Sequence, residues 1–270
     1  MEFASVWIMR IHFDEPVVSY MTRDIEAAHV DTPVEQIARA MQARAISGLP
    51  ILDAKGSLVG VVTRTDLIKL GLLQAGRRPT NSVMPLPHRR ASDVMSHGPA
   101  EVTSTMSLRY AARMMIDNEI HRVFVTEGGK LAGVICAVDL AVAVRDAKLD
   151  APVSSVMTSP IITIDIHEPL GAAIALLDRA HVTGLIVTDE AQPIGMFTQT
   201  DALASRDLAP ETSIEAIYDA AVICLPAEMK LYRVAAHVAD LRVRRVVVCT
   251  SRDPVGIVSA TDFARLVAMS

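Results

Sequence analysis

The chain has 270 residues, of which 51% are apolar, only 4% aromatic and 21% charged, with a net charge of −5; this excludes a disordered chain and a globally basic nucleic-acid binder. The mean hydropathy of +0.33 raises the question of a membrane, but no uncharged apolar run reaches the roughly 18–20 residues a spanning helix needs, and the richest stretch, Leu131 to Val144, carries Asp139 in its middle. The start, with Glu2, does not read as a signal peptide, and Cys136, Cys224 and Cys249 follow no pattern, which suits a reducing cytosol rather than a disulfide framework.

Along the chain one set of elements recurs four times. An apolar residue is followed by a marker at Met21, Met95, Met157 and Tyr218. A helix then opens at Val34, Leu108, Leu170 and Leu231. Its apolar stripe is Val34, Ile37, Ala38 and Met41 in the first copy, then Leu108, Ala111, Ala112 and Met115. The third and fourth copies give Leu170, Ala173, Ile174 and Leu177, and Leu231, Val234, Ala235 and Val238; the i, i+3, i+4, i+7 spacing puts each set on one helix face. Thr32-Pro33-Val34-Glu35 has the form of a capping box with proline in the first turn, and Pro169 repeats the proline.

Two short apolar strands follow each helix. The first lies at 49–52, 123–125, 185–187 and 246–248, and a polar turn leads to the second. The second strand runs into Gly60-Val-Val-Thr63-Arg-Thr-Asp66, Gly133-Val-Ile-Cys136-Ala-Val-Asp139, Gly195-Met-Phe-Thr198-Gln-Thr-Asp201 or Gly256-Ile-Val-Ser259-Ala-Thr-Asp262. A second helix is expected from each of these aspartates. One copy reads strand, helix, strand, strand, helix in about 50–60 residues, too few to bury a stable core alone, so copies should pair and share cores. Residues 71–90, with Arg77, Arg78, Pro79, Pro85, Pro87, Arg89 and Arg90, read as a solvated basic linker; the functional alternative is an anion- or nucleic-acid-contacting arm.

The motif has two chemical readings. Its carboxylates can accept hydrogen bonds from ribose hydroxyls. Thr63, Thr198 and Ser259 stand at strand-to-helix junctions, where backbone N–H groups attract anions, and the glycine lets backbone approach closely. Alternatively each Asp or Ser/Thr caps the following helix. Cys136 departs from the pattern, because a thiol is a weak donor, and it reads as a small buried hydrophobe or a redox group. No G-x-S-x-G, Walker A, H-E-x-x-H or C-x-x-C pattern appears, and the eight histidines have no metal-ligand spacing, so neither an enzyme nor a metal site is expected.

The repeat resembles the cystathionine-β-synthase (CBS) domain, through its Val153-Ser-Ser-Val-Met157 opening and its G-x-x-[ST]-x-x-D close, over about 16–267. The resemblance implies an α/β (α+β) fold of four βαββα repeats arranged as two intramolecular pairs. Residues 1–148 would form the first pair, with repeats at about 14–70 and 91–146, and residues 149–270 the second, with repeats at about 150–207 and 211–270. It implies a regulatory module that takes an adenosine-containing ligand in clefts between paired repeats: AMP, ADP or ATP, with S-adenosylmethionine, NAD or a cyclic dinucleotide as alternatives, and no required cofactor. Asp66, Asp139, Asp201 and Asp262 with Thr63, Thr198 and Ser259 would meet ribose and phosphate. His121-Arg122 and Arg244-Arg245 would meet phosphate, where the other copies carry Ser47-Gly48 and Thr183-Gly184. Thr163 and Ile164 would line a cleft facing Ser259 and Asp262. The implied partners are that ligand and a protein target; the pairs could form a disc within the chain or by homodimerising, and neither membrane nor nucleic acid is expected. The same repeats could instead serve as a ligand-free interaction scaffold.

Overall fold

The computed structural model describes residues 13–75, 86–241, 243, 245–251 and 253–270. Arg77, Arg78, Pro79 and Pro85 of the basic linker, and Arg244, lie outside the described residues. The first repeat comprises β1 (Ala28–His29), α1 (Val34–Ala43), β2 (Gly48–Leu52), β3 (Leu58–Thr63) and α2 (Arg64–Ala75). The second opens with the two-residue β4 (Ser96–His97) and continues with β5 (Glu101–Val102), α3 (Leu108–Asp117), β6 (Arg122–Glu127), β7 (Lys130–Cys136) and α4 (Ala137–Asp146). The third has β8 (Thr163–Asp165), α5 (Leu170–Arg179), β9 (Gly184–Asp189), β10 (Gln192–Thr198) and α6 (Gln199–Ala204). The fourth has β11 (Cys224–Pro226), α7 (Leu231–Asp240), β12 (Arg245–Thr250), β13 (Asp253–Ser259) and α8 (Ala260–Met269). The chain is thus a mixed α+β fold of four βαββα copies.

Each copy builds the same sheet. Its first strand runs parallel to its second, with a helix as the crossover, and the second and third form an antiparallel hairpin. Every hairpin has a register shift near its turn, between Ile51/Leu52, Val125/Thr126, Pro193/Gly195 and Val248/Cys249. Such a shift bends the strands and increases their twist.

The helix stripes read from the sequence are all buried; each Leu, Ile or Val so placed contributes about 1.5–3 kcal/mol. Ala45, Glu119 and His181, with φ of 52°, 54° and 52°, stand two residues beyond α1, α3 and α5 in the left-handed conformation that ends helices. Two local expectations differ. Pro33 and Pro169 sit one residue before their helices, as N-caps. The Thr32 hydroxyl accepts from the His29 N–H rather than capping α1, and Glu35 pairs with Arg39 and Arg206. The second helices begin two residues before the motif aspartates, which become third-position residues.

The chain divides into two compact units. One contains Ala100–Ile161, Ile223–Ser270 and the described residues up to Ile25; the other contains Glu26–Pro99 and Ile162–Val222. In the first unit α3 packs on α8, and α4 on both α7 and α8, so repeats two and four share one core. In the second unit α1 and α2 pack on α6, and repeats one and three share the other. Cores shared between sequence neighbours were the expectation; the stripes of α3 and α7, and of α1 and α5, are instead buried in common. The openings follow a different rule. Val17 and Met21 are buried with repeat two, and Thr22 bridges to Val134. In exchange, β4 pairs with β3 of repeat one, while Thr158 bridges to Ile257 and Asp219 to Met196. Each opening thus lies on the body of its sequence neighbour. The described end of the linker is held too: Arg90 pairs with Asp31, and the Arg89 carbonyl accepts from Val34 N–H. Among the described residues, no helix is long and apolar enough to cross a membrane.

Candidate functional site

At the end of β3, β10 and β13 the chain turns into a helix and the motif aspartate folds back on the turn. Asp66 Oδ2 accepts from the Thr63 N–H at 2.8 Å and its hydroxyl at 2.6 Å. Asp201 Oδ2 takes the same two donors of Thr198, both at 2.7 Å, and Asp262 Oδ2 those of Ser259, both at 2.8 Å. In repeat two, Asp139 receives the Cys136 N–H at 2.7 Å, and no hydroxyl stands at that position. The cap is therefore real: in repeats one, three and four one aspartate oxygen takes both donors of the Thr or Ser at the turn. Burial raises the Asp201 carboxyl above its ordinary range against the Thr198 bonds. It raises Asp139 further, to about 6, with the Cys136 N–H alone opposing it.

Repeat four is built differently. Asp262 is buried, and its Oδ1 accepts from the Thr158 hydroxyl at 3.0 Å and from Arg265 at 2.9 Å. Thr158 directly follows the marker Met157, so the opening of repeat three meets the motif of repeat four. The markers do the same at all four motif glycines. A Cβ at Gly133 would stand 2.8 Å from Met21 Sδ and 3.0 Å from the Thr22 carbonyl. Gly60 meets Met95, Gly256 meets Met157, and Gly195 meets Tyr218 and the Asp219 carbonyl. The close approach expected for a ligand is thus already made by the neighbouring repeat's marker.

The sheet register places the basic candidates. Arg122 pairs directly with Cys136 and Arg245 with Ser259, while Gly48 faces Thr63 and Gly184 faces Thr198. The carbonyls of Ser47, His121 and Thr183 accept from the N–H groups of Arg64, Ala137 and Gln199 at the helix starts. His121 Nδ1 also lies 3.2 Å from the Thr261 hydroxyl, joining repeats two and four within the first unit. Thr163 and Ile164 open β8, Thr163 exposed and Ile164 buried. They belong to the second unit, and Ser259 and Asp262 to the first.

The CBS domain model matches residues 17–72, 91–146, 153–206 and 214–269. The chain belongs to the CBS-domain family. Protein MJ1404 of Methanocaldococcus jannaschii is 27% identical over 200 residues, covering 72% of this chain and 44% of that protein. A homoserine O-acetyltransferase of Methanocorpusculum labreanum is 32% identical over 108 residues, covering 39% of this chain and 22% of the enzyme. The chain therefore spans less than half the length of either. Among solved structures, MJ1225 of Methanocaldococcus jannaschii superposes with a TM-score of 0.80 at 16% identity, over 93% of this chain and 99% of that one. A conserved protein of Pyrococcus horikoshii superposes with a TM-score of 0.66 at 18% identity, over 93% and 99%.

Burial points to a CBS-repeat residue that sequence reading passed over. Arg64 occupies a variable position of the first motif, yet it is only 6% exposed, and its guanidinium donates to the Thr200 hydroxyl of repeat three. Beside it Gln199 donates to the Thr65 hydroxyl at 3.1 Å. Arg64 supplies a buried cation in the unit whose CBS repeats carry glycine opposite the motif hydroxyl. The signal in the sequence was an arginine where the other copies have Ala or Gln. Among the described residues no cluster of three or more His, Cys, Asp or Glu is placed to hold a metal ion.

Proposed function

We propose that this CBS-domain protein is a non-enzymatic regulatory module that binds an adenosine-containing ligand, AMP, ADP or ATP foremost, and passes its state to a protein partner in the cytoplasm. The ligand-binding pairs on this reading are 1–148 and 149–270. The observation that carries it is the meeting of Thr158 with Asp262 beside Ser259, because it joins two repeats at a turn that offers carboxylate, hydroxyl and helix N–H groups together. Ribose hydroxyls would bond the aspartate oxygens at Asp66, Asp139 and Asp201, and in repeat four would compete with Thr158 and Arg265. Phosphate oxygens would meet His121, Arg122, Arg244 and Arg245. Thr163 and Ile164 are offered as cleft-lining residues. A ligand held by two repeats favours one of their arrangements over others, which is what a partner can read. The matched part of the homoserine O-acetyltransferase is a minor share of that enzyme, so its activity is not transferred to this chain.

Isothermal calorimetry with AMP, ATP and S-adenosylmethionine, together with mass spectrometry of small molecules released on denaturation, tests the reading. Saturable binding of one adenosine ligand is expected. Absence of both a released nucleotide and any binding would overturn it. The second reading, a ligand-free interaction scaffold, is favoured by the saturated Asp262 carboxylate, and it predicts that negative result together with a co-purifying partner.

A further inference from the structure

The three cysteines follow no pattern in the sequence, but two of them meet in the fold. Cys224 is exposed on the edge strand β11, and Cys249 is buried on the central strand β12. The strands are parallel, with Cys224 opposite Val247 and Pro226 opposite Cys249. The two cysteines are therefore diagonal neighbours, and since side chains alternate, they share one face of the sheet. That face lies away from the shared core, which takes Leu225, Val246 and Val248 but neither cysteine. We propose that Cys224 and Cys249 are an oxidation site, closing to an intrachain disulfide that fastens the first strand of repeat four to its second.

The chemistry needs a two-electron oxidant, for which a peroxide suffices. The exposed Cys224 thiol gives up its proton and attacks the O–O bond; sulfur keeps one oxygen as a sulfenic acid, and the departing hydroxide takes up the released proton as water. Cys249 sulfur then attacks Cys224 sulfur; the S–S bond forms and the sulfenic oxygen leaves as a second water, carrying the thiol proton. The roles follow from placement. Burial and its neighbour Cys224 push the Cys249 thiol up to about 11, which leaves the first attack to Cys224 and makes closure slow near neutral pH and faster as pH rises. Diagonal neighbours stand about 7–8 Å apart at Cα, whereas a disulfide needs roughly 4.4–6.8 Å. Closure must therefore draw β11 along its neighbour. That is feasible for a strand held at one edge by three register pairs. A bond made under such displacement is easily reduced again. Cys224 also stands at the register position that Thr163 holds in repeat three, since both lie opposite the third residue of the next strand. Its oxidation should then disturb the ligand cleft; this consequence alone rests on the proposed function.

The experiment treats the full chain with hydrogen peroxide or leaves it reduced, then alkylates and maps it by mass spectrometry. Oxidation should remove two of the three alkylation adducts and yield one dithiothreitol-reversible peptide joining Cys224 to Cys249, with Cys136 still alkylated. Cys224→Ser and Cys249→Ser should each abolish that peptide, and thermal denaturation shows whether each variant is folded. If Cys224 advances to sulfinic acid, or links only between chains, while Cys249 stays alkylatable, the proposal is overturned. Titration of AMP or ATP into both forms reads the second consequence: at least a several-fold affinity difference is expected, absent in Cys224→Ser. Lack of nucleotide binding in the reduced form would count against the proposed function and leave the mapped disulfide standing.

Discussion

The Thr158 hydroxyl donates to Asp262 Oδ1 across 3.0 Å, joining residues 104 positions apart. The same carboxylate takes Ser259 on its other oxygen and Arg265 beside Thr158. It is 2% exposed, whereas Arg265 is 52% exposed, so the hydroxyls, more than the screened ion pair, fix the carboxylate. Asp262→Ala removes the buried acceptor of these part-buried bonds, while the donors at Thr158 and Arg265 are exposed and can turn to water; it should cost about 1–2 kcal/mol. Thr158→Val removes one bond and should cost about 1 kcal/mol, while weakening adenosine-ligand binding if the two repeats share that ligand. Urea unfolding and calorimetry measure the two effects, and equal ligand affinity in Thr158→Val would separate the bond from the site.

The contacts at the motif glycines make a second test. Gly133→Ala places a methyl group 2.8 Å from the Met21 sulfur, the movable end of a flexible side chain, and 3.0 Å from the Thr22 carbonyl. Overpacking of this kind costs about 1–3 kcal/mol. Gly133→Ala combined with Met21→Ala should recover part of that loss. At Gly195 the obstacle is the Asp219 carbonyl as well as the Tyr218 ring. There Gly195→Ala with Tyr218→Ala should recover much less, because backbone cannot turn aside. Equal rescue at both sites would show that the side-chain contacts alone explain the glycines.

These contacts mark where sequence reading ends. The four stripes, the hairpins and the motif turns were legible because each depends on spacing within one copy: Leu170, Ala173, Ile174 and Leu177 fall on one helix face wherever that helix goes. The glycine's purpose was misread, since nothing near Gly133 in the sequence points to Met21. Sharing of cores between repeats two and four was illegible for the same reason. An apolar stripe says that a helix must be covered, and the stripes of α7 and α5 are too alike to say by which partner. The pairing of Cys224 with Cys249 likewise depends on strand register, which spacing alone did not supply.

Charge placement yields a third prediction. Arg122 lies opposite Cys136, and Arg245 opposite Ser259, so the first unit gathers the guanidinium groups aligned with motif turns. Buried Arg64 is their counterpart in the second unit. If phosphate oxygens bind there, Arg122→Ala, Arg245→Ala and Arg64→Gln should each weaken AMP by about tenfold, the scale of one charge-assisted hydrogen bond. Each should leave adenosine affinity nearly unchanged. Competition titrations with AMP and adenosine decide it; parallel losses for both ligands would assign the arginines to folding rather than phosphate recognition.

Repeat two tests how the hydroxyl and the carboxylate depend on each other. Asp139 is half-buried, accepts the Cys136 N–H and lacks the hydroxyl donor its counterparts have. Burial accordingly lifts its carboxyl from 3.8 to about 6. The folded chain holds this proton more tightly than the unfolded chain, so the contribution to stability is full below 3.8 and is lost as pH rises through about 6. The loss should amount to about 2–3 kcal/mol. Cys136→Thr restores the donor found in repeats one and three, stabilises the ionised carboxylate and lowers its pKa. The variant should therefore gain stability over the parent as pH rises from about 4 to about 7, and the gain should level off above that range. Chemical denaturation of both proteins across that interval gives the difference curve. A curve independent of pH would mean that the thiol already serves Asp139 as well as a hydroxyl does.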